Sequence, residues 1–129
     1  TSGAIKNPAG TLTLHLCGNL RHYIGHVLGN SPYRRDRENE FAARNIPKEK
    51  LLNEIGAAQH EVIETLKKLD EQILEKEYPS RVFDYPMTTS FFIIHLLGHL
   101  NYHLGQINYH RRLLAVNDTL LKSTAPGQG

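Results

Sequence analysis

Cysteine and methionine each occur once in this 129-residue chain, tryptophan is absent, and neither sign of charge is gathered into a block. The lone Cys17 excludes an internal disulfide framework and suits a reducing compartment, where a single thiol serves as a small buried apolar group. Lysine and arginine total 15 against 13 aspartates and glutamates. Because that small excess is spread along the chain, no electrostatic track for phosphates exists, which argues against nucleic acid as a partner. Long apolar runs are missing too. The greasiest segment, residues 91–100, is interrupted by His95 and His99 and falls short of the roughly 18 residues needed to span a bilayer. There is no signal-peptide pattern, no glycine-rich phosphate loop, no HExxH and no acidic pair at a hydrolase spacing. These absences set the expectation of a cytoplasmic protein with no membrane partner.

What remains is globular in composition, 40% apolar and 22% charged, which fits one core in a single domain over residues 1–129. After the turn-forming Asn7-Pro8-Ala9-Gly10, Leu12, Leu16, Leu20, Ile24, Val27 and Leu28 recur at helical spacing and predict a first helix over 11–29. Gly29-Asn30-Ser31-Pro32 ends it, and residues 33–44 form a polar connector with a helical turn at most. Pro47 suits the first turn of a second helix, carried by Leu51, Leu52, Ile55, Ala58, Val62, Leu66, Leu69 and Ile73 until Tyr78-Pro79 stops it. A connector over 80–87 leads to a third helix, capped by Thr88, Thr89 or Ser90 and ending near Val116. Residues 1–10 and 117–129 are expected to be flexible ends.

No segment alternates as a strand, so the expected fold class is all-α, an antiparallel helical bundle. The third helix is apolar on nearly all sides and therefore asks for neighbours on most of them. A fourth helix, from further N-terminal sequence or from another subunit, would supply one, and a homodimer is expected. An internal echo supports pairing of the outer helices. His15-Leu16-x-Gly18-x-Leu20 recurs as His95-Leu96-x-Gly98-x-Leu100, with Gly25 matched to Gly105. Glycine inside a helix costs roughly 1 kcal/mol relative to alanine, so these four predict close backbone approach.

The chemistry lies in the eight histidines. His99 and His103 are four apart on the third helix, one turn above each other, so both imidazoles can converge on one divalent ion. A third donor must come from elsewhere. His15 and His95 compete for that place; a continuous row of His95, His99 and His103 stretches over about 12 Å of helix axis, so a ligand from another helix closes the tripod better. His22, His26 and His110 read as hydrogen-bonded packing residues, and His60 as solvated. Cys17 is about 200° around the helix from His15 and points away. Three nitrogen ligands suit zinc, nickel, copper or iron and leave coordination positions open for water or thiolate.

The run His99-x-x-x-His103-x-Gly105-Gln106-Ile107, together with Leu14-His15-Leu16 opening a helix, resembles the DinB-like superfamily of metal-binding helical bundles. Gly18-Asn19-Leu20-Arg21 and the segment from Arg34 to Phe41 are similar to an uncharacterised bacterial branch of it. The resemblance implies a four-helix bundle whose first helix is missing here or supplied in trans, and a divalent metal, zinc or nickel, held by His15, His99 and His103. Leu104 stands where many relatives have arginine. It further implies a metal-dependent enzyme of the thiol S-transferase or hydrolase class, acting on a small molecule or low-molecular-weight thiol. Arg34, Arg35 or Arg37 would then engage an anionic substrate, and Gln106 would support a ligand or the backbone. Two rivals stand beside this reading: a non-catalytic, metal-stabilised or stress-associated bundle, and a dimeric bundle whose histidines merely pack.

Overall fold

The computed structural model describes residues 8–124, with side chains described for 9–109 and 111–113. It is all-α, as expected. Helix α1 (Pro8–Leu20) runs without a break into a π-helical segment (Arg21–His26), followed by α2 (Arg37–Ala42), α3 (Lys48–Leu66), α4 (Glu71–Glu75) and α5 (Thr89–Thr124). Among the described residues the only β pairing is an isolated bridge between Glu77 and Thr88. No helix among them is long and apolar enough to cross a membrane.

The first helix matches its expected span but widens beyond Leu20. Val27 N–H donates to His22 O and Gly29 N–H to Ile24 O, each at 3.0 Å and each reaching five residues back. Such turns are rare and hold about one extra residue. Here the widened turn is anchored on α3: Arg21 bonds Glu61 at 2.7 Å and Glu54 at 3.2 Å, and the Glu61 side chain fills the space beside Gly25. Asn30 then takes a left-handed conformation, which asparagine tolerates, and the helix stops.

The second helix is shorter than its apolar spacing predicts. It ends at Leu66, because Lys68 and Leu69 close tight turns onto Thr65 and Leu66, and Asp70 caps a new start by accepting the Ile73 N–H at 2.9 Å. Leu69 and Ile73 continue the three-and-four rhythm across this break, which concealed it. Helix α5 does begin where expected. Thr88 Oγ1 accepts the Phe91 N–H at 3.1 Å, while Thr89 Oγ1 is drawn off to Lys76 O. The helix continues to Thr124, past the expected end near Val116.

Helix α1 sits in the middle, touching α2, α3 and α5, while among the described residues α3 and α5 make no close backbone approach to each other. The closed core lies at one end, where Ile24, Tyr78, Met87, Phe92 and Leu96 pack together and Tyr78 O–H donates to Tyr23 O. Toward the other end an apolar groove of about 510 Å³ opens between α3 and α5, floored by Leu16, Cys17 and Leu20 of α1. Leu52, Ile55 and Ile63 on α3 and Ile94, Leu97 and Leu104 on α5 are exposed. The three long elements therefore leave α5 uncovered on sides that its composition predicted to be buried.

The glycine echo has a different cause from the expected one. A Cβ on Gly18 would overlap the Glu40 carboxylate and one on Gly25 would meet Glu61, whereas Cβ atoms on Gly98 and Gly105 would have nothing within 4 Å among the described residues. Gly18 and Gly25 make room for acidic side chains. Their α5 counterparts face open space.

Candidate metal centre

His15 is buried on α1 against the Phe41 ring at 5.2 Å. Its ring centroid is 5.5 Å from those of both His99 and His103 on α5, which are themselves 4.4 Å apart and nearly perpendicular. One nitrogen from each of the three rings lies within 4.8 Å of the others. His99 Nε2 and His103 Nε2 are 3.1 Å apart. A tetrahedral ion with bonds of about 2.0–2.1 Å needs its ligands about 3.3 Å apart, so this pair already has the required spacing.

The protonation chemistry agrees with that geometry. Burial, followed by the Arg35 charge, holds His15 below the usual imidazole value, against the opposing pull of Glu40. His99 is lowered first by burial and then by His103 and His15. Neutral rings present lone pairs, which is what a cation requires. Gln106 Oε1 accepts from His103 Nδ1 at 2.6 Å, so the proton of that ring sits on Nδ1 and its Nε2, facing His99 Nε2, carries a lone pair. His99 Nδ1 is buried with no hydrogen-bond partner among the described residues. Its ring is thus held by its packing and by His103. The donor set fits a divalent ion with nitrogen preference, and no fourth histidine, cysteine or carboxylate joins the cluster among the described residues.

The structure brings His15, His99 and His103 together and leaves the other histidines apart. His95 packs between Phe83 at 5.2 Å and Phe92 at 5.9 Å and forms a wall of the adjoining cavity. His26 Nδ1 bonds Ser31 O at 2.6 Å, His22 stacks on His26, and His60 is exposed. The His110 side chain lies outside the described residues. Cys17 lines the apolar groove instead, where burial raises its thiol to about 11. It is a packing residue, as its angular position predicted.

The three candidate arginines separate. Arg35 turns inward and forms a two-point pair with Glu40, each bond 2.8 Å long. Arg34 is spent on the carbonyls of Pro32 and Tyr33 and on His26. Arg37 lies over the Phe41 ring and lines a cavity of about 170 Å³ with His15, Asn19, Tyr23, His95 and His99. Sequence reasoning missed Glu40, whose Oε1 is 3.3 Å from His15 Nδ1. Its signal was Gly18, one turn along from His15, where only a glycine admits the carboxylate.

A family profile described as the DinB superfamily matches residues 3–107, a span that contains all three clustered histidines. Neither among curated proteins nor among solved structures is there a significant match. With the profile covering most of the chain and the helical fold in place, the chain belongs to the DinB superfamily.

Proposed function

We propose that this chain holds a divalent cation, zinc or nickel, through His15, His99 and His103, and is a metal-dependent enzyme of the thiol S-transferase or hydrolase class. The observation that carries the reading is the count of donors: three imidazoles converge, and no fourth protein ligand closes the cluster among the described residues. A structural site is ordinarily four-coordinate and closed, whereas three protein ligands leave a position for water or substrate. An ion bound there supplies Lewis acidity, lowering the pKa of a coordinated water or thiol toward neutrality.

The surrounding residues define what approaches. The cavity beside His15 and His99 is small and mixes polar side chains with Val82, Phe92 and Leu96, which suits a small molecule rather than a polymer. Asn19 is buried, has no side-chain hydrogen-bond partner among the described residues, and offers an amide to a ligand in that cavity. Arg37 reaches the same cavity with no carboxylate partner among the described residues and attracts an anionic group, such as the carboxylate of a low-molecular-weight thiol. Arg35 does not serve this purpose, because Glu40 neutralises it.

Metal analysis of protein purified without a histidine tag tests the reading. The expected result is one divalent ion per chain, and a new thiolate-to-metal absorption when a small thiol is added to the cobalt(II)-loaded protein. Sub-stoichiometric metal, with no stabilisation by added zinc or nickel, refutes it.

A further inference from the structure

Glu40 is the buried carboxylate of this site, and its surroundings are built for it. It sits on α2 with 5% of its surface exposed. Arg35 grips it through Nε to Oε2 and Nη2 to Oε1, both at 2.8 Å, and Gly18 supplies the gap on α1 that its carboxylate occupies. A buried ion pair is commonly no more stabilising than apolar residues of the same volume. Stability alone therefore does not explain a glycine, an arginine and a glutamate converging on one imidazole nitrogen.

We propose that Glu40 is a positioning residue for His15: it accepts the Nδ1–H, fixes the ring tautomer, and leaves Nε2 as the unprotonated atom offered to the cation. This rests on the three-histidine cation site argued above. Oε1 takes the Arg35 Nη2–H at 2.8 Å and lies 3.3 Å from His15 Nδ1, within reach of a proton carried on that nitrogen. Arg35 fixes the carboxylate and cancels its charge, so a cation held by three neutral rings keeps its own charge undiminished. The opposite arrangement has Arg35 Nη2, also 3.3 Å from Nδ1, donating to the ring. That arrangement puts the proton on Nε2 and blocks ligation by that atom. The three rings are thus supported unequally: a carboxylate behind His15, the Gln106 amide behind His103, and nothing behind His99 Nδ1. Carboxylates placed behind ligating histidines typically affect metal affinity 10- to 100-fold.

The test reads the tautomer and the affinity separately. Nitrogen NMR of the metal-free chain is expected to show His15 protonated on Nδ1. Cobalt(II) affinity, measured against a competing chelator, is expected to fall about 10- to 100-fold when Glu40→Met and Arg35→Met are combined, a pair that keeps the volume apolar and the chain folded. Glu40→Gln retains an acceptor oxygen and should fall between that pair and the wild type. A wild-type His15 protonated on Nε2, or a folded double variant with wild-type affinity, overturns the role of Glu40 alone. A wild-type chain that takes up no cobalt(II) while His15 carries its proton on Nδ1 overturns the cation site itself, and this proposal with it.

Discussion

Gly18→Ala and Gly98→Ala are the same change in the same local motif, and the structure predicts opposite outcomes. In either helix the alanine gains about 1 kcal/mol of intrinsic helix propensity. At Gly98 nothing among the described residues lies within 4 Å of the new methyl group, so that gain is kept. At Gly18 the methyl group overlaps the Glu40 carboxylate. The carboxylate is not free to swing aside, because its side chain is 6% exposed and Arg35, at 9%, holds both oxygens. Displacing it leaves a buried guanidinium unpaired, which costs about 3–5 kcal/mol. The net expectation for Gly18→Ala is a loss of about 2–4 kcal/mol, and for Gly98→Ala a gain of up to about 1 kcal/mol. For a chain of this size that separates the melting temperatures by roughly 10 °C or more. Thermal and urea unfolding of the metal-free protein, followed by circular dichroism, measures both. In a Glu40→Ala background the Gly18→Ala penalty should vanish and the propensity gain emerge, since the two residues are coupled by contact. Equal shifts of the same sign at Gly18 and Gly98 would refute the steric reasoning, and so would an undiminished penalty in that background.

Alanine at His15, His99 or His103 is expected to abolish stoichiometric metal binding, while His60→Ala and His95→Ala leave it intact; metal analysis of the five purified variants decides, and loss at His95 with retention at His15 refutes the tripod. Metal occupancy is expected to fall below about pH 6, as protons compete for imidazole nitrogen. In the metal-free chain His15 and His99 have lowered folded-state values, so the unfolded chain binds more protons just below pH 6.5 and stability drops as pH falls through that window. Unfolding curves across this range check the sign. Light scattering is expected to give a dimer, because exposed leucines and isoleucines of α3 and α5 flank an apolar groove that a second copy would cover. Leu104→Glu should then shift the mass toward the monomer without unfolding the chain.

Helical periodicity made the long elements legible, and capping chemistry decided where it failed. Leu12 through Leu28 marked the first helix correctly because apolar spacing survives a local change of register. The widened turn over Arg21–His26 left no mark in that spacing, since its anchor is a contact between Arg21 and Glu61 forty positions apart. The overextended second helix failed for a different reason. Leu66, Leu69 and Ile73 kept the rhythm while Asp70 capped a new helix between them, and a single hydrogen bond to Ile73 outweighed three apolar residues as a boundary signal.

The site divides along the same line. His99 and His103 were legible because four residues bring two rings to one face of one helix, and helix geometry is local. The structure brings His15 to them from α1, a placement that the length of the His95–His99–His103 row favoured over His95 and that the family resemblance implied. Glu40 and the role of Arg35 were not legible, because a buried ion pair reads in sequence like any charged connector. Exposure is what distinguishes them: Arg34 and Arg37 remain outside, whereas Arg35 turns inward to a carboxylate that only a glycine on the facing helix can admit. A glycine that costs helix stability beside a candidate ligand therefore reports on a side chain that must enter there. Gly98, with the same motif and no such entrant, shows that the motif alone does not carry the information.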